Sequence, residues 1–116
     1  CALAATTYLA TLGPHGLVDV AGSGAAAARR LEAALAAAGF ERVHAAPYLN
    51  EFAVRVPDAP AVHARLLEQG VLAGLPLATW YPDDADLADA LLLCATELTT
   101  DADIERLVTA LRAVTA

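Results

Sequence analysis

The 116 residues contain no lysine, and all 7 basic side chains are arginines. A guanidinium stays protonated and cannot condense with an aldehyde, so amine-nucleophile chemistry is excluded from this chain. Methionine is also absent, and the sequence opens on Cys1-Ala2-Leu3-Ala4-Ala5 without an initiator, so the chain reads as an excised or processed fragment. Cysteine occurs only at positions 1 and 94, too few for a disulfide scaffold and without metal-type spacing, which suits a reduced, cytoplasmic setting. The single serine, Ser23, lacks the G-x-S-x-G elbow of a hydrolase nucleophile. His15, His44 and His63 share no i, i+4 pairing with one another or with cysteine, so a metal site is not expected; they read as loop, strand-edge and helix-surface residues.

Long apolar runs are missing too. The 58% hydrophobic fraction is inflated by 30 alanines, and no unbroken stretch approaches the roughly 18 residues of a membrane span. No basic segment or signal cleavage pattern opens the chain. Acidic side chains outnumber basic ones 14 to 7, giving a net charge of −7, which disfavours phosphate backbones and hence nucleic acid. The length fits one domain with a modest core.

Residues 2 to 12 carry a helical repeat through Leu3, Thr7 and Ala10 that stops at Gly13-Pro14, as though a helix had been cut. After a turn at Pro14 and Gly16, the residues Leu17, Ala21, Gly24, Ala28, Leu31, Leu35 and Ala38 follow alternating steps of four and three, one apolar stripe on a long connecting helix from 17 to 38. Asp19, Ser23, Arg30 and Glu41 lie off the stripe, and Gly39 suits a left-handed cap. Residues 40 to 116 then read as an α+β layer. Phe40 to Ala45 and Asn50 to Val56 are extended and able to pair, and a helix from about 60 to 69 turns Val62, Leu66 and Leu67 inward. Val71 to Leu77 is an edge strand broken by glycine and proline. The acidic segment 78 to 90 is a surface connection, and Leu91 to Thr96 a buried central strand carrying an inert Cys94. Thr100 and Asp103 form a capping box before a helix whose inner face is Ile104, Leu107, Val108, Leu111 and Val114. This order predicts a small, mainly antiparallel sheet with helices packed over it.

The stretch Leu17 to Ala27 also admits a strand, a G-x-G-x-x-A turn through Gly22 and Gly24, and a helix, the outline of a dinucleotide loop. That reading makes the chain a stand-alone nucleotide-binding or regulatory module. The helical stripe running unbroken through both glycines favours a helix instead. The acidic cluster at 83, 84, 86 and 89 lacks the alternation and glycine of a calcium loop. Among polar residues, Asn50 and Glu51 before Phe52, and Thr96 and Glu97 after Cys94, stand where a sheet meets a loop. Arg55 could pair with a carboxylate but reads equally as an exposed strand residue.

Several strings together resemble the C-terminal region of the glycine cleavage system P-protein, subunit 1 family. They are Cys1-Ala2-Leu3-Ala4-Ala5-Thr6-Thr7-Tyr8-Leu9, Leu12-Gly13-Pro14-His15-Gly16-Leu17, Asn50-Glu51-Phe52-Ala53-Val54-Arg55, Gly70 to Leu77, Tyr81-Pro82, Leu91 to Glu97 and Asp103 to Val108, in order across essentially the whole chain. The resemblance implies the small C-terminal domain of an aminotransferase-like, fold type I protein that works with pyridoxal phosphate. It further implies a part in glycine decarboxylation and in passing the aminomethyl group to the lipoyl arm of H-protein, with the cofactor on the partner subunit 2 and none on this chain. The resemblance transfers no catalytic residue. Asn50, Glu51, Gly74, Thr96 and Glu97 are expected near the inter-subunit or active-site surface.

Overall fold

A computed structural model describes all 116 residues, Cys1–Ala116. The first element, α1 (Ala2–Ala37), is two helical arms divided at Gly13, whose φ of 64° and ψ of −175° lie outside the helical region. Pro14 follows at the first position of the second arm, where its missing N–H costs nothing. The expected turn at 14–16 is therefore already helix, and exposed His15 sits on its first turn. Gly16 allows the kink to be tight, because a Cβ there would lie 3.1 Å from Leu12 Cβ. The second arm runs helically through Gly22 and Gly24 without a strand, which removes the dinucleotide-loop reading. Ala38 caps it, and Gly39 follows with a φ of 92°. Only the last four turns are buried, through Gly24, Ala27, Ala28, Leu31 and Leu35; Leu17 and Ala21, on the same stripe, project beyond the body.

Three strands form one antiparallel sheet in the order β1 (Glu51–Arg55), β3 (Ala90–Cys94), β2 (Leu75–Pro76). The apolar run 90–94 takes the centre, as its continuous hydrophobicity predicts, pairing Phe52 with Leu93 and Val54 with Leu91. The extended segment after Gly39 contributes only a bridge between Arg42 and Val54. It cannot continue as a strand because Arg42 turns its guanidinium onto the carbonyls of Ala45 and Ala46, curling the chain ahead of Pro47.

On one face of the sheet Phe52, Val54, Leu91 and Leu93 meet α1, α2 (Ala59–Glu68) and α3 (Asp101–Thr115) in a single core. No polar or charged residue is fully buried. In α2 the inward residues are Ala59, Val62 and Leu66; Leu67, expected inside, is 47% exposed because it lies one residue, about 100° of helix, past that stripe. The start of α2 is held by Asp58 N–H donating to Asp89 Oδ1 at 3.0 Å, so the acidic connection, which contains short 3₁₀ turns at Leu77–Thr79 and Ala85–Leu87, is anchored rather than free. In α3 the capping box is complete: Thr100 Oγ1 accepts from Asp103 N–H, and Asp103 accepts from Thr100 N–H. On the other face of the sheet a smaller group, Ala53, Leu77 and Ala90, packs with Val43, Leu87 and Leu92.

No helix is long and apolar enough to cross a membrane.

Candidate functional site

The antiparallel register places Glu51 opposite Cys94 at one end of the sheet. Just before it, Asn50 accepts through its carbonyl from Ala95 N–H at 2.9 Å and donates through Nδ2 to Cys94 Sγ at 3.7 Å. Thr96 and Glu97 continue from the same strand end. Leu98 N–H donates to Thr96 Oγ1, and Thr96 N–H donates to Thr99 Oγ1, closing a tight turn into α3. This turn lies against α1 at Gly24, where a Cβ would stand 3.6 Å from Glu97 N. The small residue that resembled part of a nucleotide loop is thus a helix-packing contact.

Gly74 precedes the edge strand with a φ of 65°. With Glu51, Leu72 and Cys94 it lines a cavity of about 390 Å3. An adjoining cavity of about 360 Å3 shares Leu31, Leu72, Cys94 and Leu107 and adds Thr96, Asp103 and Arg106. Of the five residues singled out in the sequence, the fold therefore brings Glu51 and Gly74 into one cavity and Thr96 into its neighbour. Asn50 borders them through Cys94. Glu97 lines neither, and its side chain is exposed.

Cys94 was expected to be buried but is exposed, because the strand's alternation turns it, like Leu92, to the face away from the main core. Its thiol is held toward the protonated, less nucleophilic form. Desolvation by the surrounding protein, reinforced by the Glu51 carboxylate, pushes its pKa up and keeps it protonated at neutral pH. A carboxylate, an amide and a protonated thiol without imidazole or amine contain no activated nucleophile. Nowhere in the structure do three histidine, cysteine or acidic side chains gather so as to hold a metal ion.

A second feature had no sequence signal. Glu32 on α1 accepts from the Tyr48 hydroxyl and pairs with Arg42 Nε at 3.1 Å. The Arg42 guanidinium lies 4.9 Å from the centre of the Tyr48 ring, which packs at a tilt of 45° against Phe52 with ring centres 5.0 Å apart. Separations of ten and sixteen residues follow no helix or strand period, so only the folded chain assembles the trio. Arg42 and Tyr48 of this cluster border a cavity of about 450 Å3 that is also lined by Ala53 and Leu92 of the sheet. His44 faces this cavity; His63, expected on the surface of its helix, is half-buried with Nδ1 lacking a partner.

No family model matches the chain. Among curated proteins it is 50% identical over 104 residues to the probable glycine dehydrogenase (decarboxylating) subunit 1 of Anaeromyxobacter sp., covering 90% of this chain and 23% of that protein. It is 47% identical over 117 residues to the same subunit of Thermomicrobium roseum, covering 99% and 25%. The chain thus spans about a quarter of the length of the curated relatives it matches. Among solved structures it superposes on glycine decarboxylase (P-protein) of the glycine cleavage system, in inhibitor-bound form, with a TM-score of 0.81 and 35% identity, over 93% of this chain and 24% of that one. Sequence and fold agree: the chain is a homologue of the C-terminal part of glycine dehydrogenase (decarboxylating) subunit 1 and shares the fold of the matching part of the glycine decarboxylase P-protein.

Proposed function

We propose that residues 1–116 serve as the C-terminal domain of subunit 1 of a glycine decarboxylase, supporting pyridoxal-phosphate-dependent decarboxylation of glycine and aminomethyl transfer to lipoyl H-protein in the cytoplasm. The observation that carries this reading is agreement along nearly the whole chain in both sequence and backbone with proteins bearing that activity in their names.

The chain's own residues do not fit the cofactor. Pyridoxal phosphate is anchored through a lysine amine, and the sequence has none. Its phosphate would need a basic or amide-lined cradle, whereas α3 begins with Asp101 and Asp103 and α2 follows Asp58. We therefore assign no chemical step to these residues; a cofactor on subunit 2 is what the resemblance to the two-subunit P-protein implies. The role left to this chain is to present the edge around Asn50, Glu51, Gly74, Thr96 and Glu97 to a neighbouring domain or subunit.

The test is co-expression of subunit 2 with full-length subunit 1 carrying or lacking this segment, followed by copurification and by glycine-dependent release of CO2 with H-protein present. Loss of both association and turnover on deletion is the expected result. Full association and turnover without residues 1–116 would sink the proposal.

A further inference from the structure

The segment between the helical half of the chain and the sheet is tethered in an unusual way. At its start Val43 N–H donates to Ala53 O at 2.8 Å, and at its end Asn50 O accepts from Ala95 N–H at 2.9 Å. Between these two points no residue from 44 to 49 makes a backbone–backbone hydrogen bond. What fixes this stretch is side-chain chemistry converging on one carboxylate. Glu32 holds Arg42 through one oxygen and the Tyr48 hydroxyl through the other, while Arg42 donates to the carbonyls of Ala45 at 3.3 Å and Ala46 at 2.9 Å. Charge-assisted bonds to a half-buried carboxylate are stronger than neutral ones, so the attachment is firm although it has one anchoring point. Ala46, Pro47 and Tyr48 form one wall of the outer cavity of about 450 Å3, opposite Leu77 and Tyr81.

We propose that residues 44–49 are a strap along the β1 edge of the sheet, latched by Glu32, with Tyr48 packed against the main core and Ala46 and Pro47 bordering the outer cavity. Breaking the latch loosens this wall about hinges at Val43 and Asn50 and opens the cavity, at the cost of the Tyr48 contact with Phe52 but without unfolding the sheet or its helices. The inference rests on these contacts alone and is independent of the proposed enzymatic role.

Limited chymotrypsin digestion of the full-length polypeptide, with the peptides identified by mass, tests it. The bond after Tyr48 reports the strap. The bond after the exposed Trp80 is the internal control, since Tyr81 is followed by Pro82 and resists cleavage. Glu32→Ala is expected to raise cleavage after Tyr48 about tenfold, from loss of charge-assisted hydrogen bonds, with the rate after Trp80 unchanged. Tyr48→Phe keeps the cleavable ring and its tilted contact with Phe52 but removes one latch bond, and should give a smaller, equally selective rise. It decides the matter if Glu32→Ala does not fold. No change after position 48, or a parallel rise at both bonds, overturns the proposal.

Discussion

Gly74 lies directly against the backbone of Leu92: a Cβ at position 74 would overlap the Leu92 carbonyl oxygen and stand 2.8 Å from Leu93 Cδ2. The obstacle is the central strand itself, which cannot rotate out of the way as a side chain could. The φ of 65° at Gly74 adds a second constraint in the same direction.

Gly74→Ala is therefore expected to cost about 3 kcal/mol, combining overpacking with left-handed strain. Gly39, also at positive φ but with open space around its missing Cβ, should lose only about 1 kcal/mol when changed to alanine. Chemical denaturation of the two variants side by side checks the ordering, and equal losses would show that the carbonyl contact is relieved by movement of β2.

Gly22 is in the helical interior of α1 with nothing near its missing Cβ. Gly22→Ala should stabilise the chain by about 0.5–1 kcal/mol through helix propensity and a less mobile unfolded state. A rise in thermal midpoint is the expected readout. Destabilisation would mean that this position needs a backbone freedom which the continuous helix does not use.

Tyr48 has its hydroxyl pKa pushed up to about 12, first by burial, then by its hydrogen bond to Glu32 and that carboxylate's charge, against opposing pulls from Arg42 and Arg29. A raised folded value means the protonated phenol is favoured by folding. Its contribution is fully present below the ordinary tyrosine value of about 10 and is lost as the pH rises through the folded value. The difference in tyrosinate absorbance between the parent chain and Tyr48→Phe should therefore develop near pH 12. Its appearance near the ordinary value would place the phenol in water, away from Glu32.

Asp103 is shifted the other way, its carboxylate held below the usual range by hydrogen bonds from the side chain and backbone of Thr100. With the folded value depressed, the cap's contribution is present above the ordinary aspartate value, about 3.9, and disappears as the pH falls through the lower folded value. Hydrogen exchange of the first amides of α3 should quicken over that acidic window. Asp103→Asn should remove the pH dependence, and an unchanged acid profile would contradict the assignment.

Much of this architecture was legible because its signals are local. The capping box at Thr100 and Asp103, the continuous Ala90–Cys94 run and the 4-3 stripe to Leu35 each express a backbone period or a fixed spacing. Errors arose where a residue's fate depended on which face a neighbour occupied. Leu67 had the right chemistry for the core but the wrong angle on its helix. Cys94 belonged to an apolar strand yet faced outward beside Glu51. The Glu32, Arg42 and Tyr48 trio had no repeating spacing at all. At the candidate surface, strand ends could be located from composition, but the cavity joining Glu51 to Gly74 required the antiparallel order of the sheet, which no single segment encodes.

The break at Gly13 also has a geometric consequence. No residue of the first arm is fully buried, and Leu12 lies close over Gly16 across the bend. Within residues 1–116 the heading of this arm relative to the second is set by one glycine torsion and the proline after it. A change at Gly13 would re-aim everything on that side of the bend while leaving the hydrophobic interior as it is.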